Sequence, residues 1–394
     1  MHAGRTIFAQ LTDRIPQYVF NEMVTRYNGD YRVRRFTCWQ QFLCMAFAQF
    51  TFQESLRDIE ICLGALGTRR YHNGFRGQVS HSTLADANKN RPWEIYRDLA
   101  LYLIGYARQL YRDERLTIQN FDSAVYALDS TIIDLCLSLY PWAKGNVYQK
   151  TNAGIKVHTQ FDVQSELPVM LRVTAANVHD SRVLTHLEIE PGAFYLFDRA
   201  YMDLFHLNRI HRNAGFFVIR AKDGLRFRRI TSRPVDIKAG LRADQTITFV
   251  VPKSHMLYPD QLRRVRFYDQ TEERTLVFLT NNFELDALTI CDLYKARWRI
   301  ELFFRWIKQH LRIKAFFGTS NNAVQSQLWI ATSIYVLVAI IKKELGIKTH
   351  SLHNILQILS VNIFERIPLN QLLMKMPLHV STDDPANQLK LFEF

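Results

Sequence analysis

The alternation of apolar segments between residues 121 and 222 constrains the fold of this chain more than any other feature of its sequence. Three consecutive segments, rich in apolar and β-branched residues, have strand patterning. A helical segment, a fourth strand, a second helix and a fifth strand follow them. This order predicts a mixed α/β fold in which helices pack on a central sheet. The strand segments are VYALDSTIID (125–134), GIKVHTQFDV (154–163), LPVMLRVTAA (167–176), FYLFD (194–198) and GFFVIRAK (215–222).

Segments of a different character flank and interrupt this α/β region. Residues 1–115 have apolar residues at three- and four-residue spacing, which predicts a helical N-terminal domain. Arginine-rich strand segments within residues 222–284 predict a β insertion, and a long helix is expected over residues 285–311. We therefore expect an α/β domain over residues 116–345 and a helical C-terminal region over residues 346–394.

The formal net charge of +13 in 394 residues narrows the range of partners. Such an excess of positive charge favours a polyanionic binding partner, and nucleic acid above all. A basic enzyme that does not bind nucleic acid remains an alternative. The five cysteines form no CxxC pair, which argues against a zinc site or a disulfide framework and is typical of a cytoplasmic protein. The longest apolar stretch, residues 328–341, is short for a membrane span. It predicts a buried core helix, so no membrane partner is expected.

One segment, YKARWRIELFFRWIKQHL (294–311), carries a row of polar residues that we call the polar stripe: Tyr294, Arg297, Glu301 and Lys308. At about 100° per residue, these four side chains fall within roughly 60° of one another on a helix. A neighbouring apolar stripe is available to pack on the sheet. In isolation, the same pattern is also that of a solvated helix face with an ion pair between Arg297 and Glu301.

Two of the predicted strands each deliver an acidic residue after an apolar run. Asp129 follows VYAL, and Asp198 follows FYLF. Open α/β sheets build their sites at such strand ends. Together with Glu301, these carboxylates form a set of oxygen ligands suited to Mg²⁺ or Mn²⁺. Two such ions activate an attacking oxygen and stabilise a leaving oxygen at phosphorus, which predicts phosphoryl-transfer chemistry.

These motifs resemble those of a known family. The spacing of the polar stripe is similar to the YREK signature of the insertion-sequence-four family of DDE transposases. ALDST around Asp129 resembles the first aspartate motif of that family, and LFDRAY around Asp198 resembles the second. The resemblance covers roughly residues 121–345. Residues 1–75 also resemble an N-terminal domain of unassigned function that precedes this catalytic domain in one branch of the family.

The resemblance implies a ribonuclease H-like fold and cut-and-paste chemistry on double-stranded DNA, at the terminal inverted repeats of a transposon and at its target. It also implies a homodimer in the synaptic complex, with possible dimer contacts in the C-terminal region, and a bacterial protein that associates with the nucleoid. Asp129, Asp198 and Glu301 become the catalytic residues and the ligands of two Mg²⁺ or Mn²⁺ ions. The residues expected to contact DNA are Tyr294, Arg297, Lys308, Trp298, Arg199 and Tyr201.

Several alternatives stay open at the level of sequence. The same three carboxylates would serve a ribonuclease H-like nuclease that cuts DNA without joining it, and a catalytically inactive DNA-binding protein is a further alternative. Trp298 is expected either to stack on a displaced base or to pack inside the protein. The basic N-terminal helices predict either recognition of DNA ends or the solvated face of a helical bundle.

Asp180 is the most noticeable acidic residue left outside the predicted site. It lies near His158 and His179, but the spacing of these three residues fits no metal-binding motif. Asp180 is followed by Ser181, and an acid in this position is typical of a helix start. We therefore interpret Asp180 as a helix-capping residue with no catalytic role.

Overall fold

A single mixed sheet organises the computed structural model of the protein. In the described part of the chain, the sheet has nine strands in the order β3-β2-β1-β4-β5-β9-β8-β7-β6. The residues described are 4–112, 121–136, 140, 142, 152–310 and 316–374. The strands are β1 (Val125–Cys136), β2 (Asn152–Asp162), β3 (Leu167–Ala175), β4 (Phe194–Phe197), β5 (Phe216–Arg220), β6 (Phe227–Arg233), β7 (Leu241–Phe249), β8 (Leu262–Asp269) and β9 (Arg274–Thr280).

Strands β1, β4 and β5 form the parallel centre of the sheet. β1 pairs in parallel with β4, and β4 pairs in parallel with β5, whereas β1, β2 and β3 form an antiparallel meander. All four side chains of β4 are buried, as expected of a short apolar strand that is covered on both faces. The mixed sheet, the β insertion and the helical regions at both ends confirm the predicted fold class.

The predicted β insertion is present as strands β6 to β9, between β5 and the polar stripe. These strands do not form a separate unit, because β9 pairs antiparallel with β5, through Val218 and Thr280 among others, and so continues the main sheet. β6 is the edge strand, and its residues from Arg228 to Arg233 are exposed. Arginines on an exposed edge strand discourage pairing with another chain.

Helices cover the sheet and lie at both ends of the described part of the chain. A short 3₁₀ helix, Asp180–His186, stands where a helix of unspecified kind was predicted, and a second one spans Arg199–Tyr201. The α-helices are α1 (Ile7–Thr12), α2 (Gln17–Arg26), α3 (Cys38–Phe50), α4 (Leu56–Ala65), α5 (Arg69–His72), α6 (His81–Asn90), α7 (Glu94–Leu110), α8 (Leu204–Arg212), α9 (Pro252–Leu257), α10 (Ala287–Ala296), α11 (Trp298–His310), α12 (Asn321–Glu344), α13 (Leu352–Asn362) and α14 (Leu369–Met374).

Helix α12 is the central helix of the protein interior. By length and composition it is the one helix in the described residues that could cross a membrane, but 94% of its apolar window is buried inside the protein. It packs against α3, α6, α7 and α13. The buried core helix predicted over residues 328–341 is therefore confirmed.

The three predicted domains share one hydrophobic core. A single cluster of buried residues includes Phe8 and Phe47 from the N-terminal region, Phe303 from α11 and Leu359 from the C-terminal region. The N-terminal segment is also tied to the C-terminal region by backbone hydrogen bonds, of which one joins the Phe8 amide and the Ile363 carbonyl at 2.8 Å. The predicted boundaries thus fall inside a continuous apolar interior, and they stay predictions.

Two local predictions were wrong. The long helix expected over residues 285–311 is divided at Arg297, where the backbone amides of Arg297 and Ile300 form tighter three-residue hydrogen bonds to Tyr294 and Arg297. The polar stripe is therefore shared between α10 and α11. The segment VSHSTLADANKNR (79–91) predicts a helix start capped by Ser82 or Thr83, but the cap of α6 is Ser80, whose hydroxyl accepts from the Thr83 amide.

Candidate catalytic site

The register of the central strands places two of the predicted acidic residues side by side. Leu128 of β1 and Phe197 of β4 form the last pair of the parallel ladder, and Asp129 and Asp198 follow them directly. Asp198 ends its strand, as predicted. β1 instead continues to Cys136 along β2, so Asp129 marks the end of the parallel pairing and not the end of the strand.

Two residues of the polar stripe connect the three acids. The Arg297 guanidinium lies between Asp129 and Glu301, with Nη1 2.7 Å from Asp129 Oδ2 and Nη2 2.5 Å from Glu301 Oε1. The Tyr294 hydroxyl donates to Asp198 Oδ1 at 3.3 Å. The structure therefore brings Asp129, Asp198 and Glu301 to one place, where α10 meets α11 above the ends of the parallel strands.

Burial gives this site unusual electrostatics. It raises the pKa of Asp129 to about 6, because the carboxylate loses water; the nearby Glu301 and Asp198 add to the increase, and Arg297 opposes it. Burial alone would lower the pKa of Arg297, but the charge of Asp129 and its other partners outweighs this effect and raises it. Burial also raises the pKa of Tyr294 to about 12. The site thus holds concentrated negative charge with one shared guanidinium as its counter-ion.

The carboxylate donors have the chemistry that a divalent cation requires. In the regions that the structure describes, however, no three acidic, histidine or cysteine side chains group closely enough to enclose an ion. The reason is visible in the geometry, because Arg297 occupies Asp129 Oδ2 and Glu301 Oε1. A cation held by these two residues would therefore compete with the guanidinium for the same oxygens.

The predicted DNA-contacting residues differ in how they are presented. Trp298 is 44% exposed, Arg199 is exposed and 3.9 Å from the solvated carboxylate of Asp223, and Lys308 is half-buried. Tyr201 corrects the prediction, because it is only 1% exposed and packs with its ring 6.0 Å from that of Phe197. A tyrosine buried in this way is part of the protein interior and has no surface to offer to DNA.

The sequence interpretation missed a second charged cluster beside Asp129. The Ser130 hydroxyl donates to Asp180 Oδ1 at 2.7 Å, and Lys156 Nζ lies 3.2 Å from the same oxygen. His158 is the cross-strand partner of Ser130, and its Nδ1 atom lies 3.7 Å from the same Asp180 oxygen. The available signal was the β1–β2 hairpin, since its register brings residues 156 and 158 beside the strand that carries Asp129.

Fold and site together are those of a ribonuclease H-like protein. One acid follows the last residue of β4, a second lies beside it where the parallel pairing of β1 ends, and a third lies on a packed helix. Residues 120–337, more than half of the chain, match the family model described as the transposase DDE domain. The chain therefore belongs to the DDE transposase family, which confirms the predicted resemblance and the predicted class of enzyme. Residues 3–76 match a domain of unknown function, DUF4372, as the sequence indicated.

Named relatives agree with this membership. The chain is 34% identical over 261 residues to a Sinorhizobium fredii protein described as a transposase, covering 65% of this chain and 70% of the relative. It is 31% identical over 261 residues to an insertion-sequence transposase of Geobacillus stearothermophilus, covering 66% of each. Among solved structures, it is similar to the piggyBac transposase in a synaptic complex with hairpin DNA, with a TM-score of 0.44, 11% identity, and coverage of 97% of this chain and 83% of that one.

Proposed function

We propose that this protein cuts and joins DNA at the ends of a mobile element, with Asp129, Asp198 and Glu301 as the catalytic residues. The observation that carries the proposal is the convergence of these three acids on Arg297 and Tyr294, at the end of the parallel ladder. Each step of such a reaction is an in-line displacement at phosphorus by water or by a DNA hydroxyl, so no covalent protein–DNA bond is needed.

DDE transposases depend on divalent metal ions, and the three carboxylates are the residues that would hold them here. We propose two Mg²⁺ or Mn²⁺ ions; when bound, such a pair activates the attacking oxygen and stabilises the leaving oxygen. The protein contributes the orientation of the ligands, since Tyr294 donates to Asp198 and Ser130 donates its backbone amide to Asp129 Oδ1 at 2.8 Å.

Four basic and aromatic residues near the acids are proposed to hold the DNA strand. Arg297 binds Asp129 and Glu301 through Nη1 and Nη2, so these donors become available to a phosphate oxygen when a cation occupies the two carboxylates. Lys308 and Arg199 would add positive charge along the backbone. Trp298 stands one helical turn before Glu301 with its indole exposed, which suits stacking on a displaced base.

Stacking of a displaced base on Trp298 can be measured with 2-aminopurine at the cleavage site, because stacking quenches the fluorescence of this base. The Trp298→Ala variant should relieve the quenching.

The experiment that tests joining uses pre-cleaved element ends. The full-length protein is incubated with such ends, Mg²⁺ and a circular target plasmid, and joined products are resolved on a gel. Cut-and-paste activity predicts strand transfer through the 3′-hydroxyl, and ends that lack this hydroxyl serve as the matched control. Cleavage of intact ends without any joined product would replace this proposal with that of a nuclease.

The N-terminal region is proposed to grip the DNA end through a basic cleft. The cleft has a volume of about 910 Å³ and contains Arg34, Arg35 and Arg76 in its lining. Within the parts of the chain that are described, none of the three makes an ion pair, whereas Arg5 in the same cleft pairs with Asp13. Unpaired arginines around a cleft are what a phosphate backbone requires.

Replacing Arg34, Arg35 and Arg76 together by glutamine should weaken binding of end DNA and reduce the salt dependence of that binding. Each lost phosphate contact lowers the slope of log K against log salt by about 0.9, so the slope should fall by about two to three. A charge-matched triple variant at exposed arginines outside the cleft is the control, and an equal effect there would contradict the proposal. The control residues are Arg57, Arg112 and Arg366.

Dimerisation in the synaptic complex also stays a proposal. The C-terminal region supplies exposed apolar side chains at Val361 and Met374, which are 84% and 62% exposed, while residues 375–394 lie outside the described part of the chain. Light scattering of the protein with and without end DNA measures the mass of the complex. One protein copy per paired-end complex would overturn the proposal.

A further inference from the structure

We propose that Asp180 is a positioning residue for the Asp129 carboxylate, acting through Ser130 and held in place by Lys156. This inference rests on the proposed catalytic role of Asp129. It assigns a function to a residue that the sequence indicated only as the start of a helix.

Ser130 forms a direct link between the two acids. Its backbone amide donates to Asp129 Oδ1 at 2.8 Å, and its hydroxyl donates to Asp180 Oδ1 at 2.7 Å. Asp180 is the first residue of the 3₁₀ helix that follows β3, so it reaches the site from a different element. Because Asp129 and Ser130 are consecutive residues of β1, fixing the Ser130 side chain also fixes the backbone amide that orients Asp129.

Lys156 supplies the charge that keeps Asp180 in this role. Its side chain is only 9% exposed, with Nζ 3.2 Å from Asp180 Oδ1 and 2.9 Å from the Val178 carbonyl that it donates to. A buried ammonium requires such partners, because burying an unpaired charge is strongly unfavourable. Asp129 has a separate counter-ion in Arg297. Asp180 therefore has a counter-ion of its own, separate from the Arg297 guanidinium that Asp129 and Glu301 share.

Two buried side chains close the space around this link. Tyr201 is 1% exposed, and its hydroxyl has no hydrogen-bond partner among the residues described. Burial first, and then the negative charges of Asp129 and Asp180, raise the pKa of Tyr201 well above its usual range. His158 packs on the other side with Nε2 2.9 Å from Thr174 Oγ1. The Asp180–Ser130 contact is therefore partly shielded from solvent, which strengthens it relative to a fully exposed hydrogen bond.

The geometry leads to a specific consequence for metal binding. Asp129 Oδ1 is oriented by Ser130, and Asp129 Oδ2 is the oxygen for which a cation would compete with Arg297. Loss of Asp180 releases the Ser130 hydroxyl and lets Asp129 turn away from its position. Residues that orient metal ligands in this way typically change metal affinity by about 10- to 100-fold.

The test compares the full-length protein with Asp180→Ala and Ser130→Ala variants. Calorimetric titration with Mn²⁺ alone measures binding, and a Mg²⁺ titration of end cleavage measures the concentration for half-maximal rate. We expect Asp180→Ala to weaken Mn²⁺ binding about tenfold or more, with cleavage largely restored at high Mg²⁺. The double variant should be no worse than Asp180→Ala, since both residues act through one contact.

Asp203→Ala is the matched control, because Asp203 also begins a helix and caps it through the amides of Phe205 and His206. It should bind Mn²⁺ as the wild-type protein does. If Asp180→Ala does not fold, a variant that combines Asp180→Asn with Lys156→Gln removes both charges together. This variant then takes the place of Asp180→Ala in the comparison. Wild-type Mn²⁺ affinity in a folded Asp180 variant, or additive effects in the double variant, would overturn the proposal. Failure of the underlying site is distinguishable, because it would show as normal cleavage by an Asp129→Asn variant.

Discussion

Asp129→Asn should abolish strand cleavage while leaving DNA binding unchanged. Asparagine has the size of aspartate, and its amide oxygen can still accept from the Ser130 amide or from Arg297. It lacks the negative charge that a divalent cation requires. We expect the cleavage rate to fall by at least about 10³-fold, which corresponds to about 4 kcal/mol of transition-state stabilisation.

A gel assay for end cleavage and a mobility-shift assay for binding, on the same protein preparation, separate the two effects. Asp203→Asn is the control, since asparagine also serves as a helix cap and Asp203 lies outside the proposed site. Glu301→Gln should behave like Asp129→Asn. Cleavage at the wild-type rate by the Asp129 variant would mean that the catalytic residues have been assigned incorrectly.

Arg297→Gln should have opposite effects on the metal-free and the metal-bound protein. Without metal, Asp129 and Glu301 lose their shared counter-ion, so the free energy of unfolding should fall. Breaking a fully buried pair costs roughly 3–5 kcal/mol. The Glu301 side chain is 31% exposed, however, so we expect about 1–3 kcal/mol here. With metal, the two carboxylates are freed from competition, so Mn²⁺ should stabilise the variant more than the wild-type protein.

Urea unfolding with and without Mn²⁺ measures both effects, and the cleavage assay should show a large loss of activity because a phosphate contact is removed. Arg299→Gln is the control on the same helix, since Arg299 donates to the Val163 carbonyl and lies near Glu166, away from the three acids. Equal metal stabilisation in the wild-type protein and in the Arg297 variant would contradict competition between guanidinium and metal.

The strands of the central sheet and the core helix could be predicted from the sequence, because they depend on local apolar patterning. FYLF must form a buried strand wherever it lies, so Asp198 at its end could be identified. The order of strands in the sheet depends on pairing between distant segments. The contact of β9 with β5 is such a pairing, and no local pattern indicated that the β insertion would continue the main sheet.

The difference between local patterns and contacts of distant segments also explains what the sequence did not predict in the site. The apolar period continues without interruption through Arg297, so the sequence predicted one helix. Arg297 also pairs with Asp129, 168 residues earlier in the chain, and a contact of this kind leaves no local signal. Asp180 was dismissed for a related reason. Its role depends on Ser130 and Lys156, which become its neighbours only when β1 and β2 pair.

The unbroken path of paired strands from β4 to β6 has a geometric consequence. Hinge motion of the insertion would have to break the ladder between β5 and β9, so the two ends of the path move as one body. The path β4-β5-β9-β8-β7-β6 has five steps between strands of about 4.8 Å each, or about 24 Å in total. That length corresponds to about seven base pairs of B-form DNA. The exposed arginines of β6 are therefore held at a nearly fixed distance from the strand that precedes Asp198.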